Sequence, residues 1–85
     1  MDWQIVAWVK RGKRRKSVLE YISKSSGPVS TNEMKKSLKI AISQASATLK
    51  ELRQKGLVEC LNPNDKIGKL YRIKEKGKKL SKWMN

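Results

Sequence analysis

The apolar positions of this sequence recur at the three- and four-residue spacing of helices over most of its length, and Gly, Pro and Asn separate the segments. Residues 13–24 place Val18, Leu19 and Ile22 on one helical face, and a Gly-Pro pair follows. We therefore predict a helix over residues 13–24 whose apolar face packs on the core.

A second helix start is marked by residues that satisfy free backbone N–H groups. Ser30 and Glu33 have the spacing of a capping box, and Val29 and Met34 have that of a hydrophobic staple. These signals predict a short helix that begins at Thr31 and ends at Leu38, followed by a turn of three residues.

A third helix is predicted over residues 42–55, where Ala45, Leu49 and Leu52 recur at i, i+4 and i+7. Its first residue is ambiguous, because Ala41 has no capping oxygen whereas Ser43 has one. A glycine follows the helix at the position that favours a left-handed C′ residue.

Residues 57–61 and 69–73 are enriched in Val, Leu, Tyr and Ile, which is typical of short strands. The turn between them, residues 62–68, supplies Pro, Asn, Asp and Gly. A β-hairpin is therefore predicted directly after the third helix.

The two ends of the chain are also predicted to be helical. Residues 2–9 are apolar on nearly every side, which indicates burial on more than one face, against the protein's own core or against a second copy. A final helix over about residues 75–84 is expected to bury Leu80 together with Trp83 or Met84. The fold class that these elements predict is α+β and mostly helical.

Length and charge restrict the class of protein. The 85 residues leave room for one domain, residues 1–85, and they carry 21 Lys and Arg against 7 Asp and Glu, a net charge of +14. Solubility alone needs a net charge of roughly 2–8 in a small domain. The excess favours nucleic acid as the partner, with an acidic membrane or protein surface as the alternatives.

The sequence gives no sign of a membrane or an oxidising compartment. The longest apolar run is far shorter than the roughly 20 residues that span a bilayer, and no signal-peptide pattern opens the chain. Cys60 is the single cysteine, so an internal disulfide is excluded. We expect Cys60 to be a small buried residue. We expect a cytoplasmic, nucleoid-associated protein without a membrane partner.

Residue types suited to catalysis are absent or scattered. The sequence has no histidine, no glycine-rich phosphate loop and no acidic cluster with metal-ligand spacing. We therefore expect no enzymatic activity, no catalytic residues, no cofactor and no metal.

The string LKELRQKGLV at residues 49–58, continued by ECLNP, GKLYRI and EKG, resembles the winged-helix transcriptional regulators of archaea and bacteria. The similarity runs from about Trp8 to Leu80 and is strongest to small archaeal proteins of the MarR and ArsR type. It implies a winged helix-turn-helix with a two-stranded β wing and terminal helices. This sequence departs from the usual pattern of these regulators at three residues, Ala41, Lys74 and Ala47.

This resemblance implies that the protein binds double-stranded DNA as a transcriptional regulator. Residues 42–55 would be the recognition helix in a major groove, with a basic wing over residues 62–69 beside it. The side chains expected to face DNA from the helix are Ser43, Gln44, Ser46, Ala47, Lys50 and Gln54, and those from the wing are Lys66, Lys69 and Arg72.

Six of the seven residues 10–16 are basic. Positive charge at a helix start opposes the helix dipole, and a local rule broken without structural gain often marks function. The candidate phosphate contacts are Arg11, Lys13, Arg14, Arg15 and Lys16. A solvated basic turn and a nuclear-localisation signal are the alternatives.

The resemblance also implies a homodimer, because in such proteins the first and last helices lie together and pack against a second subunit. The candidate dimerisation helices are residues 1–10 and 75–85, and the candidate side chains are Trp3, Trp8, Leu80 and Trp83. Alternatively, the tryptophans cap the protomer's own core.

Two other functions fit the same sequence. One is a nucleoid or architectural protein that binds DNA without sequence preference. The other is an RNA-binding or protein-interaction winged helix that uses the same basic face or the tryptophan surface.

Overall fold

The computed structural model of the protein describes residues 2–84, which form five helices and a small antiparallel sheet. The elements in chain order are α1 (Trp3–Arg11), α2 (Lys13–Lys24), β1 (Val29–Ser30), α3 (Thr31–Leu38), α4 (Ile42–Gln54), β2 (Val58–Cys60), β3 (Leu70–Ile73) and α5 (Glu75–Ser81). The architecture is the mostly helical α+β class that the sequence predicts. None of the helices in these residues has the length and apolar character needed to cross a membrane.

The sheet has three strands in the order β1-β3-β2, not the two that the sequence predicts. Tyr71 lies at its centre, opposite Val29 of β1 and Cys60 of β2. The first strand was missed because it has only two residues, and the capping signals of the following helix dominate its sequence. Its extended conformation depends on pairing with β3, some 40 residues away.

The core forms where α2 and α4 pack together beneath the sheet. Leu19, Ile22, Leu49 and Leu52 are all fully buried, which confirms the apolar faces predicted for both helices. Thr48 is buried as well, although its hydroxyl is polar. Its Oγ1 donates to the carbonyl oxygen of residue 44 at 2.9 Å, so the burial leaves no hydrogen-bonding group unpaired.

The turn between α3 and α4 is set by local hydrogen bonds and one unusual dihedral. The predicted capping box starts α3, with the Glu33 N–H donating to Ser30 Oγ at 3.2 Å. Lys39 then adopts a left-handed conformation with φ of 56°. The N-cap of α4 is Ala41 rather than Ser43, because the Gln44 side chain accepts from the Ala41 N–H at 3.1 Å and so supplies half of a capping box.

α4 ends at Gln54, one residue earlier than predicted, and the glycine that follows has the predicted left-handed conformation. Gly56 is left-handed with φ of 75°, and its N–H donates to the Arg53 carbonyl at 2.9 Å. The Leu57 N–H donates to the Leu52 carbonyl at 3.0 Å, which completes a Schellman motif. This turn directs the chain into β2.

Both terminal helices differ from their predicted extents. α1 continues to Arg11, and only Val6 and Val9 are buried in it, so burial on more than one face is wrong for the single protomer. α5 ends at Ser81, earlier than predicted. Beyond it Met84 is buried, while Trp83 is 50% exposed.

Candidate nucleic-acid interface

One face of α4 is exposed along its whole length because the opposite face carries the four buried residues of the helix. All six side chains predicted to face DNA from this helix are exposed, namely Ser43, Gln44, Ser46, Ala47, Lys50 and Gln54. Three of them are Ser or Ala, whose small side chains permit close approach of the helix to another surface.

The wing is a turn held by a single asparagine. Asn62 Nδ2 donates to Asp65 Oδ2 at 2.9 Å and to the Gly68 carbonyl at 3.1 Å, while its Oδ1 accepts from the Leu70 N–H at 2.8 Å. Gly68 is left-handed with φ of 73°. The carboxylate of Asp65 therefore stabilises the turn by accepting a hydrogen bond from Asn62.

A groove separates the wing from the start of α4. Ile42 and Ser46 line it from the helix, and Lys66, Ile67 and Lys69 line it from the wing. The structure thus brings two of the three predicted wing cations next to the exposed face of α4.

The third predicted wing residue, Arg72, lies elsewhere. Its Nη2 is 3.1 Å from Glu59 Oε2, the residue opposite it on β2. It lines a separate depression with Ser25 and Lys78. Arg72 is consequently paired with its cross-strand partner and does not line the groove beside α4.

Part of the basic cluster flanks the other side of α4. Lys13 and Arg14 line a depression together with Thr48 and Glu51 of that helix. Both cations are exposed. Arg11 instead lines a depression with Lys55 near the end of α4. The exposed face of α4 therefore lies between the cations of the wing and those of the start of α2.

Arg15, although predicted to bind phosphate, is engaged within the protomer. Its Nη1 donates to the Trp8 carbonyl at 2.7 Å, its guanidinium carbon lies 4.2 Å from the centroid of the Trp8 ring, and its Nη2 is 3.8 Å from Glu51 Oε2. Gly12 leaves space for this arrangement, since a Cβ there would lie 2.8 Å from Arg15 Cδ. This basic residue thus has a structural role that its position in a charge run does not reveal.

The tryptophans divide into two groups. Trp8 is half-buried between Arg15 and the Lys55 ammonium, which lies 5.4 Å from the ring centroid. Trp3 and Trp83 contact each other edge to face, with centroids 5.0 Å apart, and remain 58% and 50% exposed. The start of α1 is therefore in contact with the residues that follow α5.

Leu80, the fourth candidate for the dimer surface, is only 1% exposed. It belongs to the core of the protomer and is not available to a second subunit. The sequence predicted its burial in the last helix correctly, but a fully buried residue cannot also line an interface.

Two features of the interface were not predicted from the sequence. Gln44 has a capping role in addition to its exposed position, a role that the spacing from Ala41 would have suggested if the helix start had been known. Ile67 stands in the wing with 89% of its surface exposed. The sequence signal that could have indicated this exposure is the presence of an apolar residue in a turn of mostly polar residues.

Tyr71 and Cys60 lie side by side beneath the wing. Burial raises the pKa of the Tyr71 phenol above its usual value, and the neighbouring Cys60 thiol raises it further. Tyr71 is therefore neutral and part of the core, and Cys60 is half-buried rather than buried as expected. In residues 2–84, no three His, Cys, Asp or Glu side chains are grouped closely enough to hold a metal ion.

No protein-family model and no curated protein matches the sequence, but solved structures do. The reduced form of MarR from E. coli superposes with a TM-score of 0.74 and 30% identity, over 93% of this chain and 58% of that protein. A mutant MarR from E. coli complexed with operator DNA superposes with a TM-score of 0.74 and 26% identity, over 95% of this chain and 61% of that protein. A mutant MepR from multidrug-resistant S. aureus superposes with a TM-score of 0.72 and 20% identity, over 86% of this chain and 54% of that protein.

The chain thus spans between 54% and 61% of the length of these proteins. They come from E. coli and S. aureus, so the archaeal part of the sequence resemblance gains no support. The structural neighbours of this chain are winged-helix regulators of the MarR family, and its fold is their winged helix-turn-helix.

Proposed function

We propose that the protein is a transcriptional regulator that binds double-stranded DNA, with α4 in a major groove and the wing, residues 62–69, against the adjacent backbone. The observation that carries this proposal is the position of the exposed α4 face between two pairs of cations. Lys66 and Lys69 flank it on one side, and Lys13 and Arg14 flank it on the other. Phosphates lie on both sides of a groove, and cations on both sides of an inserted helix neutralise them.

The exposed face of α4 carries groups that match base edges. Lys50 donates to the acceptors of guanine, Gln54 pairs with adenine, and the methyl group of Ala47 contacts that of thymine. The Oε1 atom of Gln44 already accepts from the Ala41 N–H. Its amide NH₂ group remains able to donate to a base acceptor.

The comparisons support this partner. One structural neighbour with 26% identity is complexed with operator DNA, and it matches 95% of this chain. The neighbours are regulators rather than enzymes, which supports a function in binding rather than catalysis. A DNA partner would locate the protein in the cytoplasm, at the nucleoid.

We infer further that the protein acts as a homodimer. Trp3 and Trp83 together form an exposed aromatic surface where the start of α1 meets the residues that follow α5. Two subunits joined there would present two α4 helices to successive major-groove segments, which raises specificity beyond that of a single helix.

A second candidate function, binding DNA without sequence preference as an architectural protein, is favoured by two observations on α4. Gln44 shares its side chain with the helix cap, and Ala47 occupies a central exposed position without any hydrogen-bonding group. The net charge of +14 supplies affinity for any duplex.

A salt titration with matched duplex DNA and structured RNA tests the proposal. If each subunit engages roughly 4–6 phosphates, the log–log slope of affinity for DNA against salt should be about −4 to −5 per subunit. A nearly flat slope would refute the electrostatic interface. Tighter binding to the RNA than to the duplex would refute DNA as the partner and favour an RNA-binding winged helix.

A further inference from the structure

Ile67 is the most exposed large hydrophobic residue in residues 2–84, with 89% of its surface accessible. A single exposed apolar side chain is common on protein surfaces and needs no explanation by itself. The structure around Ile67 gives it a defined position and a defined charge environment, and two other apolar residues are exposed in the same hairpin.

The position is defined because the wing turn is ordered by its own hydrogen bonds. Asn62 joins Asp65, Gly68 and Leu70 through three contacts between 2.8 and 3.1 Å. The Asp65 N–H also donates to the Asn62 carbonyl at 3.1 Å. An ordered turn holds its tip in place before binding, which lowers the entropic cost of inserting a side chain.

The charge environment of Ile67 is basic. Lys66 precedes it and Lys69 follows two residues later, and all three line the groove beside α4. The one carboxylate of the turn, Asp65, is hydrogen-bonded to Asn62. An apolar tip between two ammonium groups fits duplex DNA, because its phosphates are anionic and the faces of its stacked base pairs are apolar.

Two more apolar side chains are exposed at the base of the wing. Leu61 and Leu70 are 40% and 36% exposed, and the Leu61 N–H donates to the Leu70 carbonyl at 2.9 Å. A wing that contacted only phosphates would need no such surface. Minor-groove proteins insert Ile, Leu, Phe, Met or Pro between base pairs and thereby kink the duplex.

We propose that Ile67 is a wedge that enters the minor groove next to the α4 contact and partly unstacks one base step, so that the protein bends its DNA. This inference rests on the proposed function and deepens it. Because the isoleucine side chain forms no hydrogen bond to a base, it selects a site by how easily the DNA at that base step is deformed. The preferred steps at the wing are therefore the flexible TA and CA/TG steps.

The probe for this proposal is a duplex that the wild-type protein selects from a randomised 30-base-pair pool. 2-Aminopurine replaces adenine at each TA or CA/TG step of the selected duplex, and its fluorescence rises when the step unstacks. Binding of wild type should raise the fluorescence at one step beside the α4 contact. A matched duplex in which that step is AA should bind roughly tenfold more weakly, since A-tract steps resist kinking.

Two variants separate the wedge from the surrounding charge. Ile67→Ala should abolish the fluorescence rise at saturating protein and remove the preference for the flexible step, while Ile67→Met should retain both. Lys66→Ala should lower the salt slope by about 1 yet keep the rise at saturation. Because Ile67 is so exposed, equal thermal unfolding of wild type and Ile67→Ala is the expected check on folding.

The outcomes distinguish this inference from the proposed function. Salt-dependent binding of wild type without any fluorescence rise, or an Ile67→Ala variant indistinguishable from wild type, would overturn the wedge and leave the regulator intact. Failure of the wild type to select any duplex would overturn both proposals. A rise that Ile67→Ala abolishes and Ile67→Met preserves supports the wedge.

Discussion

The guanidinium of Arg15 stacks on the ring of Trp8, 4.2 Å from its centroid, and donates from Nη1 to the carbonyl oxygen of the same residue at 2.7 Å. The contact joins the start of α2 to α1, and the proximity of Arg15 to Glu51 extends it to α4. A cation that would oppose the dipole of its own helix is thus stabilised by a π face, a carbonyl and a carboxylate.

Arg15→Ala is expected to lower the free energy of unfolding by about 1–3 kcal/mol, because it removes a cation–π contact and a charge-assisted hydrogen bond to a partly buried carbonyl. Denaturant unfolding followed by tryptophan fluorescence measures this change. Arg14→Ala is the matched control. That side chain is exposed, so its loss should change stability by less than about 0.5 kcal/mol and reduce the salt slope of DNA binding by about 1. Equal stability of the two variants would contradict the assigned role of Arg15.

Gly77→Ala should destabilise the protein by about 1–3 kcal/mol through overpacking. A Cβ at this position would overlap the Leu57 carbonyl oxygen, which accepts from the Lys74 N–H at 2.9 Å, and would lie 2.8 Å from Ile73 Cγ1. α5 would have to move away from the sheet. Thermal and denaturant unfolding both report the effect.

The control for that substitution is Gly27→Ala. A Cβ there meets no atom within 4 Å, and the residue has no positive φ. The change should therefore be neutral or stabilise by up to about 1 kcal/mol through the unfolded chain. Destabilisation of the two glycine variants by the same amount would show that Gly77 does not approach the Leu57 carbonyl as closely as the structure indicates.

Local sequence signals predicted most of the fold. The capping box of Ser30 and Glu33, and the left-handed Gly56, each act over three to five residues, and both helix boundaries that they mark agree with the structure. The exposed face of α4 followed from the spacing of its buried residues. Helical period and cap chemistry are properties of a short segment, so one sequence suffices to recognise them.

The features that were missed depend on residues distant in sequence or on the role of one atom. β1 is a strand only because Val29 meets Tyr71. The sequence does not distinguish Arg15 and Arg72 from the basic residues near them. Their contacts with Trp8 and Glu59 are seen only in the folded structure. The exposure of Ile67 follows from the shape of the wing turn, which Asn62 determines through its side chain.

Substitutions at Gln44 separate its capping role from base contact. Gln44→Glu keeps an acceptor for the Ala41 N–H and adds a favourable charge at the helix N-terminus, so stability should be preserved. It removes the amide donor and places a carboxylate near DNA, and binding to the selected duplex should weaken by about 1–3 kcal/mol. Gln44→Ala should lower the stability of the protein and also weaken its binding to the selected duplex, because it removes both the cap acceptor and the amide donor. Unchanged binding by the Glu variant would restrict Gln44 to the cap.

Lys50→Ala distinguishes a specific regulator from an architectural protein. Lys50 is exposed at the centre of α4 and has no capping role. In a regulator, its loss should weaken binding to the selected duplex by about 1–3 kcal/mol more than binding to a scrambled duplex. Competition titrations with both duplexes measure the difference. An equal loss on both would refute sequence-specific recognition and favour the architectural function.

The assembly prediction concerns Trp3 and Trp83, which pack edge to face at 5.0 Å while both remain at least half exposed. Burying an aromatic side chain contributes on the order of 2 kcal/mol, so this pair from each of two chains would stabilise a dimer substantially. We expect wild type to sediment as a dimer at micromolar concentration, and Trp3→Glu and Trp83→Glu to sediment as folded monomers that bind DNA far more weakly.

Trp8 provides the contrast, because its ring is covered within the protomer by Arg15 and Lys55. The sequence predicts Trp8 to be part of the dimer surface, whereas these contacts predict that Trp8→Ala lowers the free energy of unfolding and leaves the dimer dissociation constant nearly unchanged. Sedimentation combined with unfolding of all three variants decides the matter. A monomeric wild type, or loss of folding rather than of assembly in the Trp3 and Trp83 variants, would refute the dimer and return these side chains to the role of capping the protomer's own core.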